Sequence, residues 1–359
     1  MSQEKNITRL EYELKSLPFF IQEYIEKKRI VPYSVTTLYE YAKEYRRFFE
    51  WLKQEAIISN DLSSISLQDL RNLTDRDVEL YKGFLLASPR LGTTADGQLR
   101  SHVSIQRSIT ALKSLFHFLA TQTADENGAT YLSHNIMDKV DNVKTGRTLQ
   151  DRSRSIENKL FIGDESLDFI EFIDSTYEKT LQSHQAKSAF YRNKDRDIAI
   201  IALFLGTGMR LSELVNMKVS DLDVLNMEAT VIRKGGFKDT TMISSIFMPY
   251  ITQYLDNREK LYHPESSEKS LFLSFYRGAA QRIDQSTVEK LVGKYSSVFK
   301  TRVTPHKLRH TVGTQLYKKT NSLLTVSHQL GQTGTSATAI YTHIVDEEKR
   351  EAINDLWMN

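Results

Sequence analysis

Residues 35–54, VTTLYEYAKEYRRFFEWLKQ, set Leu38, Tyr41, Tyr45, Phe48, Phe49 and Leu52 three and four positions apart, with charged residues between them. That spacing lines one stripe of an α-helix and leaves the opposite side for water, whereas a half-buried strand would alternate. In LTDRDVELYKGFLLAS, Thr74 and Asp77 form a capping-box start for a second helix. VSIQRSITALKSLFHFLAT (103–121) again keeps its apolar residues on one stripe. Residues 1–135 therefore predict a small helical bundle.

The chain has 359 residues, more than one hydrophobic core usually holds, so two domains are expected. Its 40% apolar and 26% charged residues, with only six prolines, belong to a folded protein rather than a disordered one. With no cysteine, it has no disulfides, thiolate nucleophiles or cysteine-ligated metals, and a reducing cytoplasm is the expected location. The start MSQEKNITRLEYELK lacks an apolar signal region, and no run approaches the roughly 18–20 apolar residues of a membrane span. Neither secretion nor membrane insertion is expected. A net charge of +3 says little about a polyanionic partner, so any basic surface must come from local clustering.

Periodicity is lost over 139–160, KVDNVKTGRTLQDRSRSIENKL, which holds Lys139, Lys144, Arg147, Arg152, Arg154 and Lys159. The stretch reads equally as a solvated linker and as one that touches phosphates. Helical patterning resumes in ESLDFIEFIDSTYEKTL and in RDIAIIALFLGTGM. Between 222 and 245 the period changes. β-Branched residues flank Lys234-Gly235-Gly236-Phe237-Lys238, a hairpin tip, and KSLFLS (269–274) offers one short strand. The expected fold is mainly α with a small antiparallel β-sheet. Its parts are a helical domain over 1–140, a basic linker over 141–163 and an α+β domain over 164–359.

In RVTPHKLRHTVGTQLYKK (302–319), Thr304 and Pro305 make an N-cap and first-turn pair, placing His306 in the first helical turn with Arg309 three residues on, on the same face. An imidazole and a guanidinium beside free helix N–H groups suit an anion, above all a phosphate. An ordinary basic surface helix is the competing reading. His306 and His310 have zinc-helix spacing, but Lys307 stands where that motif supplies glutamate and no third ligand is evident, so no metal is expected. In GTGMRLSELVNMKVSDL (206–222), two glycines end an apolar helix, Arg210 leaves the corner, Ser212 and Glu213 begin the next helix, and Glu213 is a candidate to orient the guanidinium. Exposed Arg–Glu pairs are common surface decoration as well. Lys234 in VIRKGGFKD is a candidate phosphate contact or proton donor, because the glycines let a backbone approach closely.

Taken in order, TGMRLSEL, VIRKGG, HKLRHT and LGQTGTSATAIYTH supply Arg210, Lys234, His306 with Arg309, Gln332 and Tyr341. This ordered set resembles the tyrosine recombinase (phage integrase) family and, within it, the Xer-type chromosome recombinases. The resemblance spans residues 206–343. It implies a C-terminal catalytic domain of α+β type and an N-terminal helical core-binding (SAM-like) domain that clamps DNA from the other side. It also implies a nucleophilic Tyr341, a 3′-phosphotyrosyl intermediate with a free 5′-hydroxyl, Lys234 as acid for the leaving oxygen, and no cofactor or metal. The implied partners are double-stranded DNA with a dif-type inverted-repeat site and a tetramer of this chain on two such sites; in some Xer relatives a septal DNA translocase controls the reaction. The implied task is resolving chromosome dimers during cell division. A mobile-element integrase, a type IB topoisomerase and a non-catalytic DNA-binding regulator are the rival readings.

The chemistry fits these residue types. Attack on a phosphodiester gathers negative charge on the non-bridging oxygens, which the forked Arg210 and Arg309 can neutralise. A phenol with an ordinary pKa of about 10 needs a base and a positive field, and His306 is the proton acceptor best placed for it. Gln332 departs from the family, which usually has His or Trp nine residues before the tyrosine. An amide donates a hydrogen bond but carries neither charge nor proton. His343 in the YTH string reads as structural support. The terminal DEEKREAINDLW carries a helical period from Asp346, and by resemblance Ile353, Leu356 and Trp357 would anchor it on a neighbouring protomer.

Overall fold

The computed structural model describes residues 2–31, 33–89, 99–143, 159–233, 236–332 and 341–342, with side chains from residue 6 onward. The chain forms two compact units, residues 1–146 and 147–359.

The first unit is helical: α1 (Ser2–Leu14), α2 (Phe19–Ile30), α3 (Val35–Gln54), α4 (Leu67–Arg71), α5 (Asp75–Ala87) and α6 (His102–Thr121). Ser34 Oγ accepts the Thr37 N–H and starts α3 where its apolar stripe begins. Leu38, Tyr45, Phe48, Phe49 and Leu52 are fully buried, with Tyr41 at the edge of the stripe. The Thr74–Asp77 capping box opens α5 as expected: each residue's side chain accepts the other's backbone N–H. The rings interlock edge to face, as in Tyr24–Tyr45 at 5.8 Å and Phe48–Tyr81 at 5.0 Å. Buried polar groups are mostly paired: Tyr45 Oη donates to the Ala111 carbonyl at 3.1 Å, and Ser108 Oγ donates to the Glu44 carboxylate at 2.6 Å.

The second unit contains α7 (Glu165–Glu171), α8 (His184–Thr207), α9 (Leu211–Asn216), α10 (Met248–Tyr262), α11 (Gln285–Phe299), α12 (Pro305–Thr320) and α13 (Leu323–Leu330). From Ile198 to Thr207 every residue of α8 is buried, so this C-terminal half of the helix forms the middle of the core and carries no solvent face. Tyr295 on α11 donates to Asp197 at 2.7 Å, and Arg196 Nη2 donates to the same carboxylate at 2.6 Å, which staples α11 to α8. Strands β1 (Leu222–Asp223), β2 (Glu228–Ile232) and β3 (Lys238–Met242) pair antiparallel in that order, with Ala229 opposite Thr241 and Ile232 opposite Lys238.

One expectation needs correction. Over 269–274 only the end forms a strand: β4 (Leu273–Tyr276) turns back through Arg277 and Gly278 into β5 (Ala279–Arg282), making a second small sheet. Both turn residues have positive φ, 50° and 84°, the primed-turn geometry that the single Arg–Gly pair did not announce. Of the linker expected over 141–163, residues 144–158 lie outside the described ones, and Leu160 and Phe161 are buried within the second unit. Among the described residues no helix is long and apolar enough to cross a membrane.

Candidate active site

Gly208 ends α8 in the left-handed region, φ 71°, and a Cβ there would lie 2.5 Å from Leu330 Cδ2. Gly206, also expected to end the helix, stays inside it. Arg210 itself, rather than Ser212, occupies the N-cap of α9. Glu213, three residues on, accepts the Arg210 backbone N–H at 2.7 Å and its Nη1 at 2.7 Å. The carboxylate is buried and the guanidinium remains one-third exposed, so Glu213 orients a cation that still reaches solvent.

Helix α12 begins at Pro305 with Thr304 in an extended N-cap conformation, although the Thr304 hydroxyl caps nothing. His306 is exposed in the first turn, and Arg309 is buried on the next. Arg309 Nη1 donates to the Gly208 carbonyl and Nη2 to the Leu330 carbonyl, both at 2.7 Å. Arg210 Nη2 donates to the adjacent Gly331 carbonyl at 3.1 Å. The two guanidiniums thus meet at one short backbone segment. Gly331, φ 58°, closes α13 in a Schellman motif: its N–H bonds His328, and the Gln332 N–H bonds Ser327.

This crowding of positive charge shows in the titrating groups. Burial, then the neighbouring Arg210 charge, pushes Arg309 down to about 10. Partial desolvation, then Arg309, Lys307 and Arg210, holds His306 below its ordinary value. His310 is driven to about 3 by burial and by His306 and Lys307. Neutral imidazole is therefore the resting form, as a proton acceptor requires. The site is also short of negative charge, which an anionic ligand would supply.

Tyr341 is fully buried with Leu160, Val326 and Leu330. Its ring lies 5.7 Å from His310, which lies 4.5 Å from His306, so three rings run along α12. A Cβ on Gly313 would sit 2.5 Å from Tyr341 Cζ and 2.8 Å from Oη, so the phenol rests against helix backbone that only glycine leaves open. Among the described residues, neither Tyr341 Oη nor Gln332 Oε1 has a hydrogen-bond partner. Burial raises the phenol pKa, while Arg309 and the Gln332 side chain oppose the rise without supplying a hydrogen bond of full geometry.

Of the residues singled out in the sequence, Arg210, Glu213, His306, Arg309, Gln332 and Tyr341 are described and belong to this region. Lys234, His343, Ile353, Leu356 and Trp357 lie outside the described residues. Two contributors escaped sequence reasoning. Arg233, read past in favour of Lys234, is buried and touches Glu213. The strand period already held the signal: Ala229 and Val231 face inward, and Arg233 has the same parity. Gly313 gave no signal, because a helical glycine does not announce which ring lies on it.

The phage integrase family model matches residues 177–348. The tyrosine recombinase XerS of Streptococcus thermophilus (strain ATCC BAA-491 / LMD-9) is 44% identical over 357 residues, covering 99% of this chain and all of the relative. XerS of Lactococcus lactis subsp. lactis (strain IL1403) matches equally, 44% over the same share of each chain. Among solved structures, the XerH recombinase bound to its difH substrate superposes with a TM-score of 0.64 at 21% identity, covering 98% of this chain and 89% of that one. A lambda integrase dimer bound to a COC′ core site gives 0.55 at 14%, covering 91% and 95%. The fold of these neighbours agrees with a mostly helical chain carrying small antiparallel sheets, and the identity to the XerS proteins settles the family: the chain is a tyrosine recombinase of Xer type and belongs to the phage integrase family.

Proposed function

We propose that the chain cleaves and rejoins DNA through a bond between Tyr341 and a 3′-phosphate, and that its task is to resolve chromosome dimers at a dif-type site during cell division. Arg210 and Arg309 bind the non-bridging oxygens of the scissile phosphate and neutralise the charge that gathers there. His306, neutral at rest, takes the phenolic proton. Lys234, by family resemblance, donates a proton to the departing 5′ oxygen. One P–O bond replaces another, so no external energy source is needed, and the reverse attack by a partner strand's 5′-hydroxyl ligates. Gln332 supplies an uncharged N–H to a non-bridging oxygen. The phenol is buried at rest, so DNA must draw Tyr341 off α12 before it can reach phosphorus.

The observation that carries this reading is the convergence of Arg210 and Arg309 on the consecutive carbonyls of Gly331 and Leu330, with Tyr341 packed on the helix that bears Arg309. Fixed cations short of anions, a neutral imidazole and a tyrosine together suit phosphoryl transfer to a phenol. Four copies acting on two sites are what the Xer resemblance implies, and in some Xer relatives a septal translocase is the regulator. The cytoplasm is the location such a task requires.

The test is denaturation after incubation with DNA fragments of the host genome. A detergent-resistant adduct should form, vanish in Tyr341→Phe and leave DNA binding intact. Sequencing the captured fragments separates one chromosomal site, as proposed, from the ends of a mobile element. Binding without any adduct would mark a regulator. If Gln332→Ala cleaves a nicked substrate as fast as the parent, the amide has no such role. Binding should weaken with salt at a log–log slope of about −0.9 per phosphate contact.

A further inference from the structure

Arg233 sits where β2 ends, at the root of the hairpin whose next residue is Lys234. Its backbone N–H bonds the Phe237 carbonyl at 2.8 Å, and its own carbonyl accepts the Gly236 N–H at 3.0 Å, closing the turn. The side chain turns inward and is 8% exposed. Nε donates to Asp239 Oδ2 at 2.9 Å, across the hairpin. Nη1 donates to Glu213 Oε2 at 3.1 Å and Nη2 to the Gln329 carbonyl at 3.4 Å, with the Leu330 carbonyl 3.4 Å from Nη1. Glu213 is the same carboxylate that orients Arg210. Gly331 permits the crossing, since a Cβ there would lie 2.2 Å from Arg233 Nε. One guanidinium therefore ties three segments together: the hairpin root, the Glu213–Arg210 pair, and the turn leading into Gln332.

A buried cation held by two carboxylates and two carbonyls is costly to assemble, and removing one member of such a set leaves the others desolvated and unpaired. A surface hairpin needs no such anchor merely to exist. We infer that Arg233 is a positioning residue that locks the root of the β2–β3 hairpin to the phosphate-binding arginine, so that the proton donor on the hairpin meets the leaving 5′ oxygen. A lysine here would offer one nitrogen and no fork, and would not span the three segments.

This inference rests on the reading of Lys234 as the acid, and the leaving group separates the two. When the P–O5′ bond breaks, the departing oxygen takes a proton from Lys234 as the Tyr341 Oη–P bond forms. A 5′-bridging sulfur leaves as a thiolate, because thiols ionise near pH 8.5, and needs no proton. Single-turnover cleavage is measured on a nicked duplex carrying the parent's recombination site, with bridging oxygen or bridging sulfur. Lys234→Ala should be slow on oxygen and near parental on sulfur. Arg233→Met should show the same signature, about 10²-fold slow on oxygen and near parental on sulfur. Asp239→Asn, which loses only the Nε partner, should show a weaker version and provides the reading if Arg233→Met does not fold. Equal slowing of Arg233→Met on both substrates would overturn the inference, because the defect would then run through Arg210 or the fold. Parental cleavage of the oxygen substrate would overturn it too. If sulfur fails to rescue Lys234→Ala, the acid assignment falls first and the inference with it.

Discussion

The interior of the first unit and the phosphate pocket of the second differ in the charge that surrounds their buried polar groups. Around Phe48 the rings interlock edge to face, and Tyr45, Ser108 and Glu44 each hold a partner, while Tyr81 Oη and Arg100 Nη1 are the buried atoms left unpaired among the described residues of this unit. Near Tyr341 three arginines lie close together, one bound to carbonyls alone among the described residues, where Oη of the tyrosine, Gln332 Oε1 and His310 Nδ1 also lack a hydrogen-bond partner. Unsatisfied buried groups cost stability, about 1–3 kcal/mol each. Where they gather beside cations short of anions, the chain gives up stability for a ligand that would complete the pairing.

That contrast can be broken by experiment. The largest effect expected is Phe48→Ala, which should destabilise the first unit by about 3–5 kcal/mol in denaturant melts yet leave cleavage at saturating DNA unchanged. Arg309→Ala should reverse the pattern, slowing adduct formation on the order of 10²–10³-fold. A parental rate would place the transition-state charge elsewhere. Gly313→Ala forces a methyl into the Tyr341 ring and should cost about 1–3 kcal/mol, with chemical nitration of Tyr341 faster than in the parent.

Acid probes the same difference. His310 titrates near 3 in the fold against 6.5 in the unfolded chain, so the unfolded state binds its proton first. Stability contributed by this group is complete above pH 6.5 and declines by up to about 1.4 kcal/mol per unit as pH falls toward 3. His310→Phe should flatten that decline in melts of the second unit. Cleavage should persist below the ordinary imidazole range before it falls, since His306 also holds a lowered pKa. Smallest of all, Tyr341→Phe removes a buried, unpartnered hydroxyl and should leave the melting temperature unchanged or slightly higher. A clear loss of stability would mean that the hydroxyl is satisfied.

The helices of the first unit were legible because a 3.6-residue apolar period and a capping box are local signals: the stripe of α3 and the Thr74–Asp77 pair appear where the sequence puts them. The β4–β5 hairpin was missed because Arg277 adopts a positive φ that its side chain does not advertise. At the site, Arg210, His306 and Arg309 could be read from helix starts and their order. Their convergence could not, because it depends on Gly208 and Gly331 letting backbones and guanidiniums approach across more than a hundred residues. Arg233 was readable by strand parity once the burial of Ala229 and Val231 is known.

The central claim is that Tyr341 takes the DNA 3′-phosphate. Digestion of the trapped adduct with nuclease and protease, followed by mass spectrometry, should find a nucleotide on the peptide that contains Tyr341, and the released strand should carry a free 5′-hydroxyl that a kinase can label directly. A nucleotide on any other residue, or a 5′-phosphate on the released strand, would contradict the account.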